Sequence, residues 1–361
     1  MSQSCSPRIR AALTTAAATL GLSFSLAQHA AAAPLPLLRI TDLEATMQVP
    51  GLRVVDVDNA GQVLSYQLDG ATYLWHPDTG VRVIPLPRRT SMTPNALNDQ
   101  GAITGDIYRI GEYVPVPYLW HPVKGLQRLP MAEGLVRGTS MAINIHGQVA
   151  GWGSGGDNEK NHLIVGSARH PMFDPRPWQR GSSAAYAINA AGHVGGSTTA
   201  AVGCCRSAML VGEHGRTRLL GSLAAPGERD HSQVLGLNDS DEAVGESAVG
   251  GLPHAFLWSE ATGMVDLNPS IPGAVVSSGT DINAAGQVVG EWNDAVRSST
   301  FHWDAEHGGI DLNDRLDPAD PLTSRTRITN GFAKMNDRGQ IVTNAYIDGE
   351  YKPVLLTPVQ P

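Results

Sequence analysis

The segment DINAAGQVVG at residues 281 to 290 recurs with small changes as AINIHGQVAG at 142 and AINAAGHVGG at 187. Aligned on the Asn of "IN", the chain holds seven copies, anchored at Asp58, Asn98, Asn144, Asn189, Asn238, Asn283 and Asn336 and spaced about 46 residues apart. Each anchor follows an apolar residue, and three positions later stands Gly61, Gly101, Gly147, Gly192, Asp241, Gly286 or Gly339. That spacing predicts a hairpin. The Asn or Asp side chain closes a turn on the backbone two residues on, and Gly takes the left-handed conformation that returns the chain. Aspartate, the one exception, tolerates that conformation better than most residues.

Two further elements recur behind each turn. The first is ATYLWHP at 71, VPYLWHP at 116, PHAFLWS at 253 and STFHWDA at 299; the second is VRVIPL at 81, GMVDLN at 263 and GGIDLN at 308. Each unit therefore reads as four short strands: before the turn, after it, the Trp strand and the "DL" strand. Such a unit cannot bury its own faces, so neighbours must stack. Forty glycines and 24 prolines with 17% charged residues suit a turn-rich all-β chain. The strand before each turn is rich in Ser, Ala and Gly, as the crowded inner strand of a wedge requires. Trp75, Trp120, Trp258 and Trp303 are expected in the broader packed part.

Unit seven ends at KPVLLTP without a "DL" strand, while LLRITDL at 37 to 43 stands spare before the first turn. The reading is a seven-bladed β-propeller of four-stranded blades, its ring closed by the N-terminal strand, with no free edge left over. Residues 1–32 read as a signal peptide: Arg8 and Arg10, a short apolar stretch, then AQHAAAAP with small residues for cleavage. Residues 33–361 then form a single propeller domain, exported to the periplasm or beyond, with no membrane span and expected to be a monomer. Loss of the two arginines takes the formal charge from −8 to −10, which argues against a nucleic-acid partner.

The pairing of "IN..G.VVG" with "HAFLW" resembles the HAF-repeat family of extracellular bacterial proteins; His254, Ala255 and Phe256 spell the name. The resemblance runs over about residues 38 to 361, is best in units five and six and weakest in unit three, where Val165 replaces Trp. It implies a secreted propeller-like array and lends no catalytic residues.

Motif chemistry is sparse. GWGSGG at 151 lacks the helix that a phosphate loop needs, and DVDNAGQ at 56 lacks the later ligands of a calcium loop. The histidines beside the Trp strand, His76, His121, His254 and His302, are not spaced as zinc ligands and read as blade-edge hydrogen-bonding groups. No cofactor is implied. The adjacent pair Cys204 and Cys205 could join only in a strained bond. One regularity points to a ligand. Nine residues before the anchor stand Arg89, Arg180, Arg229 and Arg327, with Arg137 seven before and Arg53 five before in two other units. All fall in blade-to-blade connections on one face, and are expected to bind an anionic group at the channel mouth. The function expected is a binding or scaffold module for an anionic small molecule, a polysaccharide or another protein. The alternative is a lyase or hydrolase acting at that mouth, with Glu228, Asp230 and His231 beside Arg229 as its local cluster.

Overall fold

A computed structural model of the chain describes residues 34–68, 70–112, 114–155, 160–175, 181–199 and 205–359. The signal-peptide reading, Arg180 and Cys204 lie outside the described residues. Seven antiparallel sheets follow in chain order, each paired only with its own strands, as a β-propeller. Blade one runs Arg53–Val57, Val63–Tyr66, Thr72–His76 and Gly80–Ile84 from the inside outward. The inner strands of blades two to six are Thr90–Leu97, Arg137–Ile143, Ser183–Ile188, Ser232–Leu237 and Val276–Ile282. Blade seven's inner strand is broken into Thr326–Ile328 and Lys334–Met335.

The ring closes as the sequence implies. Leu38–Asp42 pairs antiparallel with Glu350–Pro358 as the outer strand of blade seven, Leu38 opposite Pro358 and Asp42 opposite Val354. Its other edge is held by residues that follow blade six: Leu38 bridges Leu316, Ile40 N donates to Asp320 Oδ2 at 2.7 Å, and Asp317 N donates to Leu38 O. The closing strand thus has no bare edge, and Leu38 and Ile40 are buried.

Blade three departs from the four-stranded pattern. It has three strands, and beyond them a single antiparallel bridge, Val165 to Phe173, stands where the outer strand would be. Unit three lacks the Trp and "DL" signatures, but so does unit four, whose outer strand Thr217–Gly221 forms, so loss of the signatures does not by itself account for the difference.

The turn residues take the conformations their identities suggest. Asp241, the one non-glycine at its position, has φ +60°. A second glycine of the repeat answers a different need. The inner strand of blade five bulges between Val234 and Gly236, which pushes Gln233 O to within 1.9 Å of where a Cβ on Gly245 would sit. Gly105, Gly151, Gly196 and Gly290 meet the inner strands of their own blades in the same way, at 1.9–2.1 Å. Trp75, Trp120 and Trp258 are buried, and Arg82 and Arg218 of the outer strands lie over the Trp120 and Trp258 rings at 4.9 and 5.2 Å. They are packing groups, as expected.

Candidate functional site

The anchor side chains do more than close their own turns. Asn144 Oδ1 accepts from His146 N and Gln148 N within its turn, while its Nδ2 donates to Asn189 O of the next blade at 2.9 Å. The same crossing bond runs from Asn98 to Asn144 O, Asn189 to Asn238 O, Asn238 to Asn283 O and Asn336 to Asp58 O. At the two remaining junctions a neighbouring residue makes the link: Asn59 N donates to Asp99 Oδ1, and Ala284 N to Asp337 Oδ1, both at 2.8 Å. All seven junctions are therefore stapled at one face. The mouth there is a cavity of about 250 Å³ lined by six of the seven anchors and by Asp99, Asp239 and Asp337.

Deeper in, the residues three before the anchor bulge into the channel in blades two to five. Asn95, Met141, Tyr186 and Leu235 line a space of about 140 Å³ there. The residues two before the anchor are Ala96, Ala142, Ala187 and Gly236 in blades two to five, but Asp281, Lys334 and Asp56 in blades six, seven and one. Lys334 Nζ lies 3.4 Å from Asp281 Oδ1. Asp56 Oδ2 accepts from Leu97 N and Asp281 Oδ2 from Met335 N, each at 2.9 Å and each on the following blade. Burial pushes the Asp56 carboxyl up to about 7 against the pull of the Lys334 ammonium. Burial opposes the charge on Lys334, yet Asp281 and Asp56 together hold its pKa above the ordinary lysine value. The cluster is a polar staple on one side of the channel, across from the Ala and Gly residues of blades two to five. The sequence reading missed it, although aligning the column two before the anchors reveals it.

The opposite mouth, at the blade-to-blade connections, opens into a cavity of about 800 Å³. It continues the channel, since Asn95 and Met141 border both spaces. Its wall combines exposed Tyr351 (54%), Phe332 (36%) and Leu68 (72%) with Tyr66, Arg53 and Asn344. Phe332 comes from the break in blade seven's inner strand and Leu68 from the loop between the second and third strands of blade one. Three carboxylates occupy the eighth position after the anchor, the position of Tyr66 and Asn344 in other blades. Burial raises Asp106 to about 6, opposed by hydrogen bonds from Asn95 and Thr139. It also raises Glu291, which the backbone of Gly331 counters and Glu246 reinforces.

Among the described residues, the expected arginines Arg53, Arg89, Arg137, Arg229 and Arg327 fall on this face but do not converge on the cavity. Arg53 lines it. Arg327 reaches it at one remove, its guanidinium 5.0 Å over Tyr346, whose ring meets Tyr351 edge-on at 5.6 Å. Arg137 Nε is bonded to Ser154 Oγ at 2.8 Å. Arg89 and Arg229 are exposed in their connections, Arg89 with φ +59°. Of the cluster beside Arg229, His231 approaches Glu246 at 3.8 Å, and Glu228 accepts from Ala225 N and Gly250 N. Among the histidines, His76 meets Ala60 O and His254 meets Asp266, and His121 Nδ1 accepts from Val123 N. His302 is buried with Nδ1 unpartnered. Among the described residues no group of three His, Cys, Asp or Glu side chains is placed to hold a metal ion, and no helix is long and apolar enough to cross a membrane.

Ring, channel and aromatic mouth define a seven-bladed β-propeller with an open cavity at the blade-connection face. No protein-family profile and no curated protein sequence matches the chain. Among solved structures it is similar to an oligogalacturonate lyase in complex with manganese (TM-score 0.55, 15% identity, 85% of this chain and 89% of that one). It is also similar to a prolyl endopeptidase (TM-score 0.53, 10% identity, 90% and 51%) and to prolyl oligopeptidase B from Galerina marginata (0.52, 8%, 88% and 51%). The chain spans about half the length of those two peptidases. At such identities the likeness is one of fold.

Proposed function

We propose that the protein is an exported binding module of the HAF-repeat kind that receives a polar oligomer, an oligosaccharide foremost, at the blade-connection mouth. The observation that carries this is the cavity of about 800 Å³ in which exposed Tyr351, Phe332 and Leu68 stand beside Arg53, Asn95 and Asn344. Exposed aromatic faces in a concave site stack on the apolar faces of sugar rings, and amides and a guanidinium bind hydroxyl or carboxylate oxygens. The acids Asp106, Glu246 and Glu291 disfavour a polyanion entering the channel. An acidic group on the ligand is therefore read at the rim, by Arg53. Arg89, Arg137, Arg229 and Arg327 contribute positive potential to this face and are not the principal contacts.

A screen of neutral and acidic oligosaccharides against the processed protein, with each ligand recovered and analysed afterwards, tests the reading. An oligosaccharide that binds, is recovered intact and is lost on Tyr351→Ala is the expected result. Absence of any glycan ligand would overturn it. The catalytic alternative rests on the raised carboxyls of Asp106 and Glu291. It would be favoured by product formation that Asp106→Asn abolishes.

A further inference from the structure

A second cavity, of about 280 Å³, lies between blades six and seven on the face of the Asn turns, bordered by Gln287, His302, Arg315, Arg338, Pro36 and Pro358. Arg315, Arg338 and Asp337 are its charged lining residues. Arg315 is only 6% exposed, and its Nη2 donates to Pro36 O at 2.8 Å while its Nε has no partner. Among the described residues no carboxylate forms an ion pair with Arg315 or Arg338. His302 is 2% exposed, and its Nδ1 is likewise unpartnered.

The carboxylates nearby are committed elsewhere. Asp337 also borders the cavity, but its oxygens accept from Ala284 N and Asn59 Nδ2. Asp304 accepts from the backbone N–H groups of Glu306 and His307 and from the His307 ring. Burial lowers Arg315 to about 10, which leaves it charged at neutral pH, and the field of Asp304 only partly offsets that burial. Burial, joined by Arg315 and His307, lowers His302 to about 4, so the imidazole is neutral and can donate or accept. A buried guanidinium whose charge is only partly compensated is unfavourable. The cost disappears when an anion is present, and guanidinium groups match oxyanions in geometry as well as charge.

We propose that this cavity is a binding site for a small oxyanion, such as a phosphate, a sulfate or the carboxylate of a small metabolite, held by Arg315 with His302 as a neutral polar contact; the Arg338 guanidinium, although that residue borders the cavity, is seated against Gly61 of blade one. It is a separate site from the aromatic mouth, on the opposite face, and does not depend on the reading of that mouth. Its volume admits an oxyanion with a small substituent or a few waters.

The test is a thermal-shift and calorimetric titration of the processed protein with inorganic phosphate, sulfate and acetate, each against chloride at equal ionic strength. At least one oxyanion should raise Tm saturably, and which one does so separates a phosphoryl, sulfuryl or carboxylate ligand. Arg315→Lys, which keeps the charge but not the planar fork, should fold and weaken that anion on the order of tenfold or more. Arg315→Gln should abolish the effect. Shifts no larger than those of chloride for all three anions would overturn the proposal, as would a shift unchanged in Arg315→Gln.

Discussion

The side-chain amide of Asn336, in the last blade, donates a hydrogen bond of 2.8 Å to the backbone carbonyl of Asp58, in the first. The first and last repeats are thereby joined by the same bond that links Asn98 to Asn144 and Asn144 to Asn189. An aspartate accepts within the turn as well as asparagine does but cannot donate across the junction. Asp58 shows the difference: Gln62 Nε2 turns to donate to it, and no bond crosses from its side chain to blade two. Asn144→Asp should therefore destabilise the protein by about 1–2 kcal/mol at neutral pH, the loss of a buried donor. Asp58→Asn, which can supply the missing donor, should stabilise it by about 1 kcal/mol. Urea midpoints of the two variants moving in opposite directions is the expected result.

Closure through the N-terminal strand makes that strand part of the core. Deleting residues 34 to 45 removes Leu38, Ile40 and Leu43, all buried, and bares the edge of Glu350–Pro358. The truncated protein should aggregate or lose a large part of its melting temperature, read by light scattering and calorimetry. A monomer melting within a few degrees of the intact domain would contradict closure.

The two repeated glycines should respond differently. At Gly286, φ is +74° and the nearest atom to an added Cβ is Glu242 Oε2 at 3.3 Å, so Gly286→Ala should cost about 1 kcal/mol of backbone strain. At Gly245 the added methyl would lie 1.9 Å from a backbone carbonyl, and Gly245→Ala should cost about 3 kcal/mol or more, because the bulge itself must move. Equal destabilisation in chemical unfolding would contradict this assignment of roles.

Asp56 and His302 give stability opposite dependences on pH. Asp56 stays protonated in the fold up to about pH 7, whereas an unfolded aspartate loses its proton near 3.9. Between those values the unfolded chain binds fewer protons, so this group lowers stability as pH rises. His302 titrates near 4 in the fold and at about 6.5 when unfolded. Its contribution is present above 6.5 and lost as pH falls toward 4. Replacing Asp56 by Asn keeps an acceptor for Leu97 N and removes the first effect, with Lys334 and Asp281 the charged neighbours left in place. Melting temperatures from pH 4 to 8 should show the variant gaining on the parent up to about pH 7 and no further. A difference constant with pH would contradict the assignment.

The fold was legible because its signals are local and repeated: an Asn–Gly turn, a Trp strand, and one spare strand at the end opposite the gap. The turn motif did not show that the amide nitrogen of Asn144 reaches the next blade, since that depends on how closely the inner strands crowd. Nor could a search for pairs in sequence find Asp56, Lys334 and Asp281, which adjacency around the ring brings together. The aromatic mouth was the least legible. Leu68 and Phe332 come from segments that vary between units, and Tyr351 stands near a hairpin tip, so no periodicity marks them. The arginine column shows the limit of periodicity: equal offsets along a repeat give equal heights, not convergence on a cavity.

The most direct measurement is a calorimetric titration of an oligosaccharide ligand against four proteins: the parent, Tyr351→Ala, Arg53→Gln and Arg338→Gln. The first two variants alter the wall of the blade-connection mouth, and the third lies on the opposite face. Affinity should fall about tenfold or more in Tyr351→Ala, the loss of a stacked aromatic contact of 1–3 kcal/mol. It should fall for acidic ligands in Arg53→Gln and stay unchanged in Arg338→Gln, with all four proteins folded to the same extent. Binding indifferent to Tyr351 and Arg53 but lost with Arg338 would place the site on the wrong face and contradict the proposed function.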